Sequence, residues 1–307
     1  NGCSFSKKRD GQMRDSKINR REAIKFLGMG AFSLFGCNSA RYSILPQRDD
    51  CGNFAPRERD PRVMSFNMAN LRGNNDDFLS TQSKEKIQRN LDWIAAALRS
   101  YQIDVACFNE VDFKSIRTHG IDMAKYIAEK ACYSHVICEK MFSIPSILDL
   151  GNAVISRYPL KLNMYRQYGD KIVDQARNAF KSFLDFDVLL DDGKRLNFVQ
   201  THLDNQSDAI RRSQTRILRD HLEAKTKPFV LLGDFNMTSD SQCFQGLVRN
   251  LVGNPYLGQP TYPSDRPDAQ IDYILVSSGL TIRNYHPIYS RLKVSDHLPV
   301  MGDIVIE

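Results

Sequence analysis

An α/β (α+β) fold, two mixed β-sheets packed together and flanked by helices, is what this sequence predicts. Three observations carry the prediction. The chain has 307 residues, 42% hydrophobic and 25% charged, a globular balance with room for one large domain or two small ones. Strand-like apolar runs alternate with helix-like segments, and no internal repeat is visible. Two of the runs, 179–189 and 195–202, flank the turn Asp191-Asp192-Gly193 and read as an antiparallel hairpin, which a purely parallel doubly wound sheet would not contain.

The elements follow in order. Residues 62–68 form a short apolar strand, and 82–100 a helix whose Ile87, Leu91, Ile94 and Leu98 share one face at helical spacing. Residues 104–108 read as a buried strand and 121–130 as a helix. Residues 152–156, 179–189 and 195–202 are further strands. A helix then runs from the N-cap Ser207 to about Lys225, with its apolar and polar faces separated. Residues 229–232, 270–277 and 299–305 complete the strands.

The amino-terminal part is a separate region. Residues 1–36 hold eight Lys and Arg against three Asp and Glu, so most of the net charge of +6 lies there and residues 37–307 carry only +1. Paired Arg20 and Arg21 precede the apolar stretch 26–36, which ends Leu34-Phe35-Gly36-Cys37. This resembles a twin-arginine export signal closed by a lipobox-like cysteine. The expected organisation is therefore 1–37 export signal, 38–61 linker, rich in Pro and charge, and 62–307 the main folded domain. The expected location is exported: periplasmic, or a membrane-anchored lipoprotein touching the membrane through its N-terminal lipid only. No apolar run reaches the ~18 residues needed to span a bilayer. The seven cysteines show no CxxC and no zinc spacing. Cys132 and Cys138 are separated by a strand-like segment of roughly 20 Å, too far for a disulfide between them. Buried free thiols are expected.

Function is legible where the strands stop. The strand 62–66 runs into Asn67, 104–108 into Asn109-Glu110, 197–201 into His202 and Asp204, and 229–232 into Gly233-Asp234-Phe235-Asn236. Asp272 opens another strand, and Ser295-Asp296-His297 precedes the last. Any one of these could be ordinary turn chemistry. Six polar strand ends gathered at one edge would form a ligand site, with residue types suited to a hard cation and a phosphate.

Ser65-Phe66-Asn67, Phe108-Asn109-Glu110, Thr201-His202-Leu203-Asp204, Gly233-Asp234-Phe235-Asn236, Ile271-Asp272-Tyr273-Ile274 and Ser295-Asp296-His297-Leu298-Pro299-Val300 resemble, in order, the successive signatures of the endonuclease/exonuclease/phosphatase family. The resemblance spans residues 62–306. Asn109 stands where the family usually has Gln, and the Tyr motif of the abasic-site repair branch is missing. The resemblance implies a four-layer sandwich that cleaves phosphate esters with a divalent metal, Mg²⁺ or Mn²⁺.

Physical chemistry assigns the roles. Glu110, Asn67 and Asp296 are oxygen donors for a hard cation. His297 and Asp272 would form an imidazole–carboxylate pair that fixes the ring. Asp234 and Asn236 would hold the attacking water and the phosphate. His202 would donate to a phosphate oxygen, and Arg177 would clamp it. Arg117 and Asn152 are further candidates to line the site, and the other four histidines read as structural. The near-neutral domain and its single tryptophan, Trp93, disfavour a DNase-like endonuclease. A sphingomyelinase would need exposed apolar hairpins, for which 141–150 is the candidate. A non-catalytic envelope lipoprotein using the fold as a binding module is the competing class. A phosphate-ester substrate and a monomer are expected.

Overall fold

The computed structural model describes residues 39–46, 51, 56, 60–73, 81–144, 147–169, 181–249, 257–290 and 293–307. The expected export signal and Arg177 lie outside the described residues. Twelve strands are described: β1 (Ser39–Ile44), β2 (Arg62–Asn67), β3 (Val105–Asp112), β4 (His135–Ile144), β5 (Leu148–Ser156), β6 (Leu160–Gln167), β7 (Ser182–Leu189), β8 (Arg195–His202), β9 (Phe229–Asp234), β10 (Asp272–Val276), β11 (Leu280–Pro287) and β12 (Val300–Ile306). The α-helices among the described residues are α1 (Lys84–Ser100), α2 (Met123–Ala131), α3 (Asp208–Glu223) and α4 (Gln242–Val248).

The strands form a seven-stranded sheet in the order β1-β4-β5-β3-β2-β12-β11 and a five-stranded sheet in the order β10-β9-β8-β7-β6. Both are mixed: β2 and β3 run parallel in the first, β8 and β9 in the second, and the remaining pairs are antiparallel. The β7–β8 hairpin turns at Asp191-Asp192-Gly193 as expected, with Leu189 opposite Arg195.

Three apolar clusters define the layers. Val105, Val154, Phe186, Phe198 and Val230 belong to the cluster that joins the two sheets. Ile87, Leu91, Ile94 and Leu98 of α1 pack with Ile127 of α2 and with Phe66 and Phe108 of the larger sheet. Leu218 and Leu222 of α3 pack with Phe244 and Leu247 of α4 on Val199 and Leu231 of the smaller sheet. The order is thus helices, sheet, sheet, helices, the expected four-layer sandwich. Burying one face of each amphipathic helix while both sheets are covered on two faces satisfies every apolar stripe at once.

Local signals set the helix ends. Ser83 caps α1 by accepting from the Lys86 N–H, Asp122 caps α2 through Lys125, Ser207 caps α3 through Ile210, and Ser241 caps α4 through Phe244. Each supplies an acceptor for one otherwise unpaired amide.

Two expectations are corrected. The stretch expected as a linker contains β1, which pairs antiparallel with β4 at the sheet edge. Cys51 and Cys132 form a disulfide with a sequence separation of 81, so the expectation of free thiols fails for these two. Cys107, Cys138 and Cys243 are free as expected, but only Cys107 of the three is fully buried. The two Cys are separated by two helices and two strands in sequence, and only the fold brings the Cys51 segment against the end of α2. In the 141–150 hairpin, Phe142, Leu148 and Leu150 bury against one another, and Ile147 alone of these is an exposed large apolar residue.

Candidate active site

Both parallel strand pairs end at one edge of the sandwich, and their last residues face each other. In the smaller sheet His202 lies opposite Asp234, and Thr201 opposite Gly233. That approach requires glycine: a Cβ on Gly233, whose φ is +140°, would stand 1.9 Å from the Thr201 carbonyl oxygen. In the larger sheet Asn67 is registered with Asn109. The next residue, Glu110, has φ +54° and lies where the β3–β5 register shifts between Phe108 and Val111. A bulge of this kind re-aims a side chain, and here it lets Glu110 leave the sheet alternation and line the centre. Ala69, Asn70, Leu71 and Asn236 also have positive φ. Non-glycine residues in this region carry a backbone cost of order 1–3 kcal/mol each, and these four lie in the Asn67 and Asp234 loops.

The result is a small polar cavity of about 190 Å³ lined by Asn67, Arg72, Glu110, Asp234, Asp296 and His297 among others. Asp272 opens β10 directly opposite Asp234, so two carboxylates face each other across a ladder, a repulsive arrangement unless a cation intervenes. His297 intervenes. Its Nδ1–H donates to Asp272 Oδ2 at 2.9 Å, while Nε2 lies 3.9 Å from Asp234 Oδ2 and 3.9 Å from Asp296 Oδ1. The Thr261 hydroxyl donates to the same Asp272 oxygen at 2.6 Å. Burial opposes charge on the His297 ring, but Asp272, Asp234 and Asp296 outweigh it and push its pKa up to about 10. Burial would raise the Asp234 carboxyl, yet His297, His202 and Lys181 hold it well below the usual carboxylate range.

Glu110 accepts at Oε2 from Asn70 Nδ2 at 3.2 Å and from Arg72 at 3.4 Å. Asn67 donates from Nδ2 to Asp234 Oδ2 at 2.8 Å and accepts at Oδ1 from the Ala69 N–H at 2.9 Å. The backbone N–H of Asn236 donates to Asp234 Oδ1 at 2.8 Å, and its amide donates to the Leu203 carbonyl at 2.9 Å and to Asp234 Oδ2 at 3.0 Å. Asn236 therefore fixes Asp234 as well as lining the cavity. His202 Nε2 is 3.4 Å from Asp234 Oδ2 and 3.8 Å from Glu110 Oε1. It also contacts Lys181 Nζ. Burial, with the adjacent Lys181 charge, keeps the ring below the usual histidine range. With Lys181 donating to Nε2, that atom cannot donate to a phosphate oxygen unless the contact breaks.

Behind the cavity runs a buried chain of amides. Asn109 Oδ1 accepts from the Asp234 N–H at 3.2 Å, Asn109 Nδ2 donates to Asn152 Oδ1 at 2.8 Å, and Asn152 Nδ2 donates to Glu139 Oε2 at 2.9 Å. Glu139 is fully buried on β4, and the Ser182 hydroxyl donates to the same oxygen at 3.0 Å. Burial pushes the Glu139 carboxyl up to about 7, with Asn152 and Ser182 only partly opposing. The Asn109 amide spans from Asn152 to the Asp234 main chain, which gives the Asn at this position a structural role.

The structure thus brings together His297, Asp272, Asp234, Asn236, His202, Glu110, Asn67 and Asp296. Asp204 instead caps the following turn, accepting from the Gln206 and Ser207 N–H groups. Arg117 pairs with buried Asp112 at 2.7 Å, and Asn152 stands in the supporting chain. The sequence reading missed Arg72, Lys181 and Glu139. Arg72, five residues beyond Asn67, had no pattern to mark it. Lys181 did leave a signal: it is a lone charge inside the apolar run 179–184, and it is almost wholly buried.

The donor set suits a hard divalent cation. Glu110, Asp296 and the Asn67 carbonyl offer oxygen only, with no thiol beside them, and the Asp296 side chain remains 24% exposed toward the cavity. Asp234, Asp272 and His297 also offer ligand atoms within 4.8 Å of one another. Of these atoms, His297 Nδ1 and Asp272 Oδ2 are bonded to each other and Thr261 shares that oxygen, whereas the Glu110 side offers oxygen atoms alone.

Comparison with known proteins agrees with this geometry. No curated protein sequence matches the chain. Among solved structures, an endonuclease/exonuclease/phosphatase from Beutenbergia cavernae DSM 12333 superposes with a TM-score of 0.62 at 22% identity, over 81% of this chain and 72% of that one. A mannosyl-6-phosphatase from Bacteroides thetaiotaomicron VPI-5482 gives 0.60 at 16% identity, over 80% and 100%. A humanized D. rerio TDP2 gives 0.56 at 14%, over 80% and 98%. At these identities the likeness is one of fold. The family model described as Endonuclease/Exonuclease/phosphatase family matches residues 64–297, and the chain belongs to that family.

Proposed function

We propose that this protein is a divalent-metal-dependent hydrolase of small phosphate esters acting outside the cytoplasm. The observation that carries the reading is the convergence of Glu110, Asp234 and His297 on one cavity of about 190 Å³, with Asp272 bonded to His297 behind it. A fold kept only as a binding module would not need a buried imidazole held between two facing carboxylates. The family includes phosphatases and nucleases and is divalent-metal-dependent, and a mannosyl-6-phosphatase shares the fold. The near-neutral charge of residues 37–307 favours a small ester over a nucleic-acid backbone.

The bound cation would neutralise a non-bridging phosphate oxygen and stabilise the leaving alkoxide. The protein's own groups do the rest. Arg72, held beside Glu110, adds positive charge next to the phosphate position. Asp234, fixed by Asn236 and Asn67, presents a carboxylate that stays ionised and can orient a water. His297, locked at Nδ1 by Asp272, keeps Nε2 directed at the same space, where a proton can be held or passed.

Location rests on two supports. Twin arginines and Cys37 resemble an export and lipidation signal, and the Cys51–Cys132 disulfide fits an oxidising compartment. Changing Arg20 and Arg21 together to Lys should retain the protein in the cytoplasm, and Cys37→Ala should release it from the membrane fraction. Unchanged fractionation of both variants would remove this part of the proposal.

A panel of phosphomonoesters, phosphodiesters, DNA and sphingomyelin, assayed with Mg²⁺ or Mn²⁺ and again in EDTA, tests the chemistry. Hydrolysis of a small ester that disappears on chelation is expected. Full activity after exhaustive chelation, or no ester cleaved with either metal, would overturn it.

A further inference from the structure

The catalytic cavity is too small for a whole substrate. Its roughly 190 Å³ falls below the ~300–1,000 Å³ usual for ligand pockets and suits a phosphoryl group with its waters. A second cleft, of about 620 Å³, adjoins it and shares His297. Trp93, Pro267 and Tyr289 contribute to its apolar surface, and Asp265, Ser290 and Lys293 to its polar surface.

Three features describe what fits there. Tyr289 is 66% exposed, an aromatic ring that the fold leaves uncovered beside the centre. Trp93 is only partly buried and lines this cleft. Flat rings with one free face suit a ligand that has an apolar face of its own. The charged rim is balanced, because Lys293 lies 3.8 Å from Asp265. It offers hydrogen-bond donors and acceptors without a net field for a second phosphate or a polyanionic backbone.

The cleft wall is tied to the catalytic residues. Ser264 donates from its hydroxyl to the Ser295 carbonyl at 2.6 Å and from its N–H to the Asp296 carbonyl at 2.7 Å. The ring of Tyr262 stands 5.0 Å from that of His297. A group resting against the 264–267 wall would therefore be held in a fixed relation to His297.

We propose that this cleft binds the organic part of the substrate and that this part is a sugar, so that the ester hydrolysed is a sugar monophosphate. A pyranose or furanose ring has apolar C–H faces for Tyr289 and Trp93 and hydroxyls for Asp265, Ser290 and Lys293. A nucleic-acid strand would meet a neutralised lysine, and an acyl chain would meet a polar rim. The inference rests on the phosphoesterase reading, and its test separates the two.

Trp93 is the chain's single tryptophan, so emission excited at the long-wavelength edge, where the 12 tyrosines do not absorb, reports this cleft. The full chain with Mg²⁺ is titrated with glucose 6-phosphate, ribose 5-phosphate, free glucose, AMP and inorganic phosphate. A saturable change in emission is expected with the sugar phosphates, a weaker one with free glucose, and none with inorganic phosphate. Tyr289→Ala, at an exposed position that does not threaten folding, should weaken the sugar-phosphate response roughly three- to tenfold, and Tyr289→Phe should restore it. Emission that ignores sugar phosphates, or answers AMP more strongly than either of them, overturns the sugar assignment. If it does so while simple esters are still cleaved, the phosphoesterase reading stands. Sugar-phosphate binding without cleavage of any ester supports the subsite and overturns the hydrolase reading instead.

Discussion

The imidazole of His297 donates from Nδ1 to Oδ2 of Asp272 at 2.9 Å, and both side chains are buried. The two residues come from the segment before β12 and the start of β10, in different sheets, so this bond joins the sheets at their active edge. It also aligns Nε2 with the cavity. Removing an acid–base group typically costs ~10²–10⁴-fold in rate, and His297→Ala should lose that much in kcat. Asp272→Asn should lose activity too. The double variant should be little worse than the worse single one, because the two act as one unit. Losses that multiply independently, measured as kcat for all three variants, would separate the pair.

Metal binding should appear in stability as well as rate. A ligand present at 100 times its Kd stabilises the native state by about 2.7 kcal/mol. Millimolar Mg²⁺ should therefore raise the melting temperature of the wild-type protein. Glu110→Gln should abolish most of that rise while leaving the metal-free melting temperature close to wild type, since Glu110 lies at the cavity surface and not in an apolar cluster. Calorimetric titration with Mg²⁺ gives the same comparison without heating.

Glu139 makes stability depend on pH. Its folded pKa, raised to about 7 from an ordinary 4.5, means that the native state holds a proton the unfolded chain has lost. The sign follows from proton counting: the contribution is full below about pH 4.5 and is lost as pH rises through about 7. The span corresponds to a change on the order of 3 kcal/mol. Glu139→Gln cannot ionise. Its stability relative to wild type should therefore improve between pH 5 and pH 8 in urea unfolding, and a constant difference across that range would show that Glu139 does not titrate there.

Reducing the Cys51–Cys132 bond should destabilise the fold without touching the site. It closes a loop 81 residues long, for which a loss of roughly 2–4 kcal/mol is typical. Cys51→Ser should reproduce the effect of reductant, and reductant should then have no further effect on the melting temperature of that variant. Retention of the wild-type melting temperature after complete reduction would show that the bridge contributes nothing.

The inner parts of the fold were legible because inner strands and amphipathic helices write their burial into the sequence. The face Ile87, Leu91, Ile94 and Leu98 is the face that packs, and β2, β3, β8 and β9, buried throughout or nearly so, were readable as apolar runs. The strands β1, β6 and β11 were not. Each lies at a sheet edge and exposes several residues, so charge and amide groups interrupt the alternation that marks a strand. The disulfide was hidden for a different reason: pairing depends on where two segments meet, not on their spacing.

The sequence by itself determined the chemical inventory at the strand ends, from Asn67 through Glu110, His202, Asp234 and Asp272 to His297, because the strands that carry them have strong local signals. Tertiary structure alone decided how those groups act on one another. Register placed Asp272 opposite Asp234, a bulge with positive φ turned Glu110 into the cavity, and packing buried Lys181 against His202 and Glu139 behind Asn152. Charge state and orientation depend on the field and the burial that all neighbours create together, and no stretch of sequence contains its own neighbours across a sheet.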